Sequence, residues 1–152
     1  MDIPELTKEQ RGRIACIAES FERLAGRPLV APEGNLVEAL WHAPLAIVAH
    51  GTESDPIFYF GNRTALTLFE MDFAAFTQLP SRFSAEPLRR EERARLLARV
   101  ARDGIIEDYA GVRISATGRR FHISNACVWT LTNAIGEAVG QAAAFAEWTD
   151  AL

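Results

Sequence analysis

The chain has 152 residues, of which 49% are hydrophobic and 24% charged, and its formal net charge is −4 at pH 7. This length and composition are typical of one globular domain with a sizeable core. The acidic balance argues against a nucleic-acid-binding protein, which normally has a basic footprint, and no apolar run approaches the ~18 residues of a membrane span. The polar start MDIPELTKEQ does not resemble a signal or transit peptide, so we expect a soluble, cytoplasmic protein.

The first predicted element is a helix over residues 7–26. Thr7 and Gln10 have the spacing of a capping box, and Gly26 is a typical stop signal. Its apolar stripe predicts packing on the body of the domain or dimerisation; the residues concerned are Ile14, Ile17, Phe21 and Leu24. With a short helix after Asn35, it forms a predicted N-terminal helical extension, residues 1–42.

The middle of the chain predicts a hairpin followed by helices. The apolar runs LAIVAH and IFYF are separated by GTESDP, which is rich in turn-forming residues. Asn62 is then a good N-cap for a short helix, and Asp72 for another. A longer helix from Ser84 towards Gly104 has a narrow apolar edge and many arginines. Its acidic residues favour a solvated face, with phosphate contact as the alternative.

Two or three strands end the chain, at about 105–116, 119–132 and 138–148. Because no long crossover separates neighbouring strands, we expect antiparallel pairing. The predicted fold class is α+β: a five-stranded antiparallel sheet with short helices on one face.

A two-residue turn at Thr117-Gly118 would place Arg113 opposite His122. Alternation along the strands then divides the side chains between two faces. The expected core face carries Val112, Ile114, Phe121, Ile123, Asn125, Cys127 and Trp129. The other face carries Arg113, Arg120 and His122. Three interpretations of this face are open: it is exposed to solvent, it is covered by the first helix or a second subunit, or it binds an anion. A slip of one residue would exchange the two faces.

Two features of the expected core suggest room for a ligand. Asn125 is polar among apolar neighbours, so its amide needs backbone partners or a bound small molecule. The last strand has a face of small residues, which either admits a close-packed helix or leaves space for a ligand; these residues are Gly140, Ala142, Ala144 and Ala146. Cys16 and Cys127 have no pattern of a disulfide or zinc site and are expected to be buried free thiols.

Catalytic signatures are missing from the sequence. There is no G-x-S-x-G, no Walker loop, no G-x-G-x-x-G and no pair of histidines at metal-ligand spacing. The best acid/base candidate is His50 with Glu53 and Asp55, near Arg63, for a small enzyme acting on a bound metabolite. The competing interpretation is a turn whose carboxylates cap backbone amides. We therefore expect no enzymatic activity.

The order of elements resembles the PAS fold, and GNRTALTLFEM resembles the PAS pattern in which an Asn starts a helix after the second strand. More specifically, the chain resembles the PAS-related MEKHLA domain over about residues 43–148. The matching segments are HGTESDPIFYFGNRTALTLFEM, LPSRFSAEP, ERARLLARV, GIIEDYAGVRISATGRRFHISNACVW and GQAAAFAEW. We therefore expect a MEKHLA-type domain over residues 43–152.

This resemblance implies a sensory or regulatory ligand-binding domain. The amphipathic first helix adds the expectation that the module acts through self-association. In plants the family occurs at the C-terminus of class III homeodomain-leucine zipper transcription factors, and in bacteria it is often a stand-alone protein. The candidate ligand-binding residues are Asn62, Arg63, Asn125, Cys127, Trp129 and Gln141. The resemblance does not imply whether such residues bind a ligand or only stabilise the fold. A ligand-free protein-interaction domain is the alternative.

The resemblance leaves the cofactor unknown. The chain lacks a GRNCRFLQ-like segment and a cysteine in its short helices, which argues against flavin-adduct photochemistry. Heme lacks support, because no histidine is predicted to face the pocket. The expected partners are an unidentified small molecule and a second copy of the chain, with no direct contact to nucleic acid or membrane.

Overall fold

The computed structural model describes residues 1–31, 34–85 and 90–151, with residue 90 as backbone only. The helices are α1 (Lys8–Ala25), α2 (Leu36–His42), α3 (Arg63–Phe69), α4 (Phe73–Phe76) and α5 (Arg90–Asp103), with a 3-10 turn at Ser81–Ser84. The strands are β1 (Ala46–His50), β2 (Phe58–Gly61), β3 (Ile105–Ile114), β4 (Arg120–Thr132), β5 (Ala138–Phe145) and β6 (Glu147–Asp150). The predicted first turn of the long helix, residues 86–89, lies outside the described residues.

The strands form one antiparallel sheet in the order β2-β1-β5-β4-β3, with β6 also paired to β4. The α+β prediction is therefore confirmed. The sheet has six strands instead of five, because the last predicted strand is interrupted at Ala146 and continues as β6 along β4. In the described ranges, no helix combines the length and the hydropathy needed to cross a bilayer.

Helix α1 packs on one face of β4. Its predicted capping box at Thr7 and its left-handed end at Gly26 are both present. The Phe21 ring lies edge-on to Trp129 with 4.9 Å between centroids, and the Trp129 indole N–H donates to the Ile17 carbonyl at 3.1 Å. The stripe thus packs on its own sheet, apart from Leu24, which is 42% exposed. Self-association stays a prediction.

The small residues of β5 lie at close approaches within the sheet and on the face that carries Trp129. Ala142 and Ala144 pair with Trp129 and Cys127, so they lie on the face that α1 covers. A Cβ on Gly140 would lie 2.2 Å from the His50 carbonyl oxygen, which leaves no space for a side chain there. Ala146 is exposed. Ala142 and Ala144 are each 3% exposed and belong to the hydrophobic core.

The hairpin between β3 and β4 has a different register from the predicted one. Its loop has three residues, 116–118, because the Ser115 N–H donates to the Arg119 carbonyl and Gly118 is left-handed with φ 86°. Arg113 therefore pairs with Phe121 instead of His122. The predicted two-residue turn is wrong, and the slip moves Arg113 to the face opposite Arg120 and His122.

A bulge at Asn125 causes a second exchange of faces along β4. One more residue of β4 than of β3 lies between the pairs Gly111–Ile123 and Tyr109–Ala126, and Asn125 has φ 52°. Its side chain is exposed and donates to Glu147 at 3.1 Å. The expectation that Asn125 is a core residue is wrong, because the left-handed bulge turns its side chain outwards.

Beyond this bulge the expected core face divides. Phe121 and Ile123 face α3 and α5, as Phe121 packs 5.3 Å from the Phe69 ring. Trp129 faces α1 instead. Both groups are buried, but on opposite sides of the sheet.

Candidate ligand-binding site

A cavity lies between α5 and the sheet, on the face opposite α1. Its free volume, counted as room for the centres of water molecules, is about 50 Å³, and it opens partly to solvent. Its apolar lining includes Val48, Phe58, Phe69, Leu96, Leu97, Ile123, Val128 and Phe145. Its polar lining consists of His50, Ser84, Arg93, Tyr109, Arg113 and Gln141. Apolar walls with a few convergent polar groups are the usual make-up of a small-molecule site.

Helix α5 places Arg93 at this cavity. Arg93 shares a helix face with Leu96, Leu97 and Val100, which follow it at positions i+3, i+4 and i+7. Val100 is fully buried and Leu96 nearly so, so this face is turned towards the sheet. The Arg93 guanidinium donates to the buried Ser81 hydroxyl at 2.7 Å.

Strand β3 brings Arg113 to the same cavity. Its guanidinium donates to the Tyr109 hydroxyl at 2.9 Å and to the Val112 carbonyl at 3.2 Å, and lies 5.2 Å from the centroid of the Tyr109 ring. This position is a direct consequence of the three-residue loop, which places Arg113 on the Phe121 side of the sheet.

The two arginines give the cavity a positive charge. Burial, and next the nearby charge of Arg113, lower the pKa of Arg93 to about 10, so it stays protonated at neutral pH. The negative charge of Asp55 partly offsets this lowering of the Arg93 pKa. The two Asp55 oxygens, however, each accept from Arg82 Nε at 3.0 Å. Among residues 1–31, 34–85 and 90–151, no carboxylate forms an ion pair with Arg93 or Arg113.

His50 and Gln141, directly opposite each other in β1 and β5, add neutral polar atoms. The His50 Nδ1 lies 2.9 Å from the Gly51 carbonyl, which can only accept, so Nδ1 donates and a neutral ring leaves Nε2 as an acceptor. Burial lowers the pKa of His50, and the charge of Arg93 adds to this. The Gln141 amide donates to the Leu97 carbonyl at 3.3 Å, but its buried oxygen lacks a partner in the described structure.

Of the six predicted ligand-binding residues, Gln141 lines this cavity. Asn62 is fully buried and acts as the N-cap of α3, with its oxygen accepting from Ile47 and Ala65. Its amide group donates to the carbonyls of Leu40 and Leu45, so its hydrogen-bonding capacity is used within the fold.

The other four predicted residues lie away from the cavity lining. Arg63 is exposed and lines a shallow depression with Arg119. Asn125 is on the surface, and Trp129 packs against α1. Cys127 is half-buried on the α1 face, where burial and then Glu107 raise the pKa of its thiol. Arg120 and His122 are exposed, and an interface or anion-binding role for them stays a prediction.

Among the described residues, no hydrogen bond joins His50 to its predicted acid/base partners Glu53 and Asp55. His50 does line the cavity. Glu53, however, accepts a hydrogen bond from the Ile57 N–H at 3.2 Å, and the Asp55 carboxylate is bound by Arg82. Arg63 lies in a different depression. Within the described ranges, no group of three or more His, Cys, Asp or Glu residues could hold a metal ion.

Arg93 and Tyr109 were missing from the predicted site. Arg93 had a usable signal, because its spacing to Leu96 and Val100 places it on the apolar edge of the helix. Tyr109 had none, since a bulge between Ile106 and Tyr109 determines its side of the sheet.

A family model, the MEKHLA domain, matches residues 11–150. The chain belongs to the MEKHLA domain family. The matched region begins within the predicted N-terminal extension and includes most of α1. Curated relatives include the homeobox-leucine zipper protein HOX29 of Oryza sativa subsp. indica and of subsp. japonica, each 24% identical over 102 residues. These matches cover 67% of this chain and 12% of the relatives, so this MEKHLA chain corresponds to a small part of their length.

Solved structures of PAS and light-oxygen-voltage proteins share the fold of this MEKHLA domain. A PAS domain from Colwellia psychrerythraea has TM-score 0.61 and 16% identity, covering 75% of this chain and 92% of that domain. An RNA-binding light-oxygen-voltage receptor has TM-score 0.61 and 15% identity, and the match covers 95% of this chain and 36% of the receptor chain. A variant of Vivid has TM-score 0.61 and 14% identity, and the match covers 86% of this chain and 99% of the Vivid chain. The PAS-like fold and the MEKHLA assignment are confirmed, and a sensing or regulatory module is the kind of protein they indicate.

Proposed function

We propose that this MEKHLA domain is a regulatory module that binds a small molecule in the cavity between α5 and the sheet, and that acts through self-association. The observation that carries the proposal is the cavity lining, which combines apolar walls with a buried Gln141 oxygen that has no hydrogen-bond partner among the described residues. Buried polar atoms normally have a partner, so a ligand atom is a reasonable occupant of this position.

Strand β4 offers a route from the cavity to the rest of the domain. Val128 lines the cavity, while the adjacent Trp129 contacts α1 on the opposite face of the same strand. A ligand that shifts β4 would therefore change how Phe21 and Ile17 of α1 pack against Trp129. We propose that ligand occupancy alters the docking of α1, and through it the contact with a second copy of the chain. A shift of this kind requires that the ligand bind the two arrangements with different affinity.

The test uses the full chain, a retained-ligand measurement and a fragment screen. Native mass spectrometry and an absorption spectrum of gently purified protein report any retained molecule and the subunit count. NMR spectra of isotopically labelled protein with a library of neutral and charged fragments then report binding, with the Gln141 side-chain amide as the local probe. We expect at least one molecule to bind at the cavity.

A filled cavity provides the matched control. Ala143 lines the cavity, whereas Ala98 is exposed on α5, so Ala143→Leu should abolish binding and Ala98→Leu should not. If no retained molecule and no fragment perturbs cavity residues, the domain is an interaction module without a ligand. If Ala143→Leu binds as well as the natural chain, the ligand site lies elsewhere.

A further inference from the structure

The chemical class of the ligand can be inferred from the two arginines at the cavity. Arg93 and Arg113 come from different elements, α5 and β3, yet both line the same space. The oxygens that they bind belong to Ser81, Tyr109 and Val112, and all are neutral. These contacts use only part of the five N–H donors of each guanidinium. The site therefore has donors and positive charge in excess.

The surroundings make this charge costly in the empty site. Two like charges at a partly buried position repel each other, and burial removes part of their hydration. The lowered pKa of Arg93 reflects both effects. In the described part of the chain, the nearby Asp55 carboxylate is bound by Arg82 and does not neutralise the pair by direct contact. An anion between the two guanidiniums would remove the imbalance.

The planar guanidinium fork matches a carboxylate particularly well, because two parallel N–H···O bonds form at once. The remaining walls are apolar, with Phe58, Phe69 and Phe145 among them. These walls favour an organic body over a bare, strongly hydrated inorganic anion. The Gln141 oxygen and His50 Nε2 are acceptors, and they suit a hydroxyl or N–H group on that body.

We infer that the cavity takes a small organic carboxylate with an apolar body, whose carboxylate is bound by Arg93 and Arg113. This inference rests on the proposed function, since it concerns the same cavity. It makes charge the main determinant of specificity: a neutral amide of the same shape loses the paired charge-assisted hydrogen bonds.

The experiment compares matched probes on the full chain by calorimetry and NMR. The carboxylates are benzoate, phenylacetate and hexanoate, the neutral analogues are their primary amides, and inorganic phosphate is the bare anion. We expect at least one carboxylate to bind about 10- to 100-fold more tightly than its amide, since hydrogen bonds to charged groups contribute this much. Phosphate should bind more weakly than that carboxylate.

Variants of the two arginines give the second readout. Arg93→Met and Arg113→Met should each weaken the carboxylate about tenfold or more while leaving the amide unchanged. Arg120→Met is the control, because Arg120 lies on the same hairpin but on the exposed opposite face. Arg113→Lys retains the charge without the planar fork. Its affinity for the carboxylate should therefore lie between that of the natural chain and that of Arg113→Met. Melting temperatures of all variants show that they are folded.

The possible failures are distinguishable. If amides bind as tightly as their carboxylates, the cavity is a ligand site and the carboxylate inference is wrong. If phosphate binds most tightly, the inference that the ligand has an apolar body is wrong. If none of the probes binds but the fragment screen finds a cavity ligand without an acidic group, the proposed function stands and this inference fails. If neither the probes nor the screen finds a ligand, both fail.

Discussion

Replacing Phe21 with alanine tests whether α1 is an integral part of the fold. Phe21 is 2% exposed, and its ring lies 4.9 Å from that of Trp129. Truncating a buried phenylalanine costs about 3–5 kcal/mol, because transfer free energy is lost and a cavity remains. With a urea m-value of ~1–3 kcal/mol/M, we expect the unfolding midpoint to fall by about 1–5 M. Tryptophan fluorescence is a suitable signal, since Trp129 is the contact partner.

The control is Leu24→Ala on the same helix. Leu24 is 42% exposed, so its truncation should change the free energy of unfolding by only about 0.5 kcal/mol. The reasoning is refuted if Phe21→Ala costs no more than Leu24→Ala. It is also refuted if the midpoint rises with concentration in the natural chain but not in Phe21→Ala.

Three further predictions concern buried polar and backbone features. Asn62→Ala should lower the free energy of unfolding by about 3 kcal/mol, because four backbone groups, three of them in buried hydrogen bonds, lose their partner. Removing the exposed N-cap with Asn35→Ala should cost only about 1 kcal/mol. Equal costs in urea unfolding would contradict this. Gly140→Ala should cost about 2–4 kcal/mol, because its Cβ would meet a carbonyl oxygen at 2.2 Å. Gly12→Ala on α1 has nothing within 4 Å and should be neutral or stabilising by up to about 1 kcal/mol. Burial lowers the folded-state pKa of His50 below the usual 6.5 of a histidine, so the unfolded chain takes up the proton first as the pH falls below 6.5. Stability should therefore decrease on acidification from pH 7 to 5, and His50→Gln should show a smaller decrease; identical pH profiles would show that burial of the imidazole has no such effect.

Local signals predicted the elements with most success. The Thr7 capping box, the Asn62 N-cap and the Gly26 stop all appear as expected, because each depends on residues within four positions of one another. The order of elements and the MEKHLA motifs likewise indicated the PAS-like fold from residues that are contiguous in the chain.

The site was predicted less well, because it depends on register. Side chains alternate along a strand, so one residue more or less exchanges the two faces of the sheet. The loop at Gly118 has three residues instead of two, and Asn125 adds a bulge; together they bring Arg113 to the cavity and turn Trp129 towards α1. Neither shift leaves a clear local pattern in the sequence.

The sequence by itself determined the helices with their caps, the alternation that forms the strands and the family, since these depend on short-range contacts and contiguous motifs. Only the tertiary structure decided which polar groups meet. Arg93 on α5 and Arg113 on β3 line one cavity because helix docking and strand register, which are set by long-range packing, place them there.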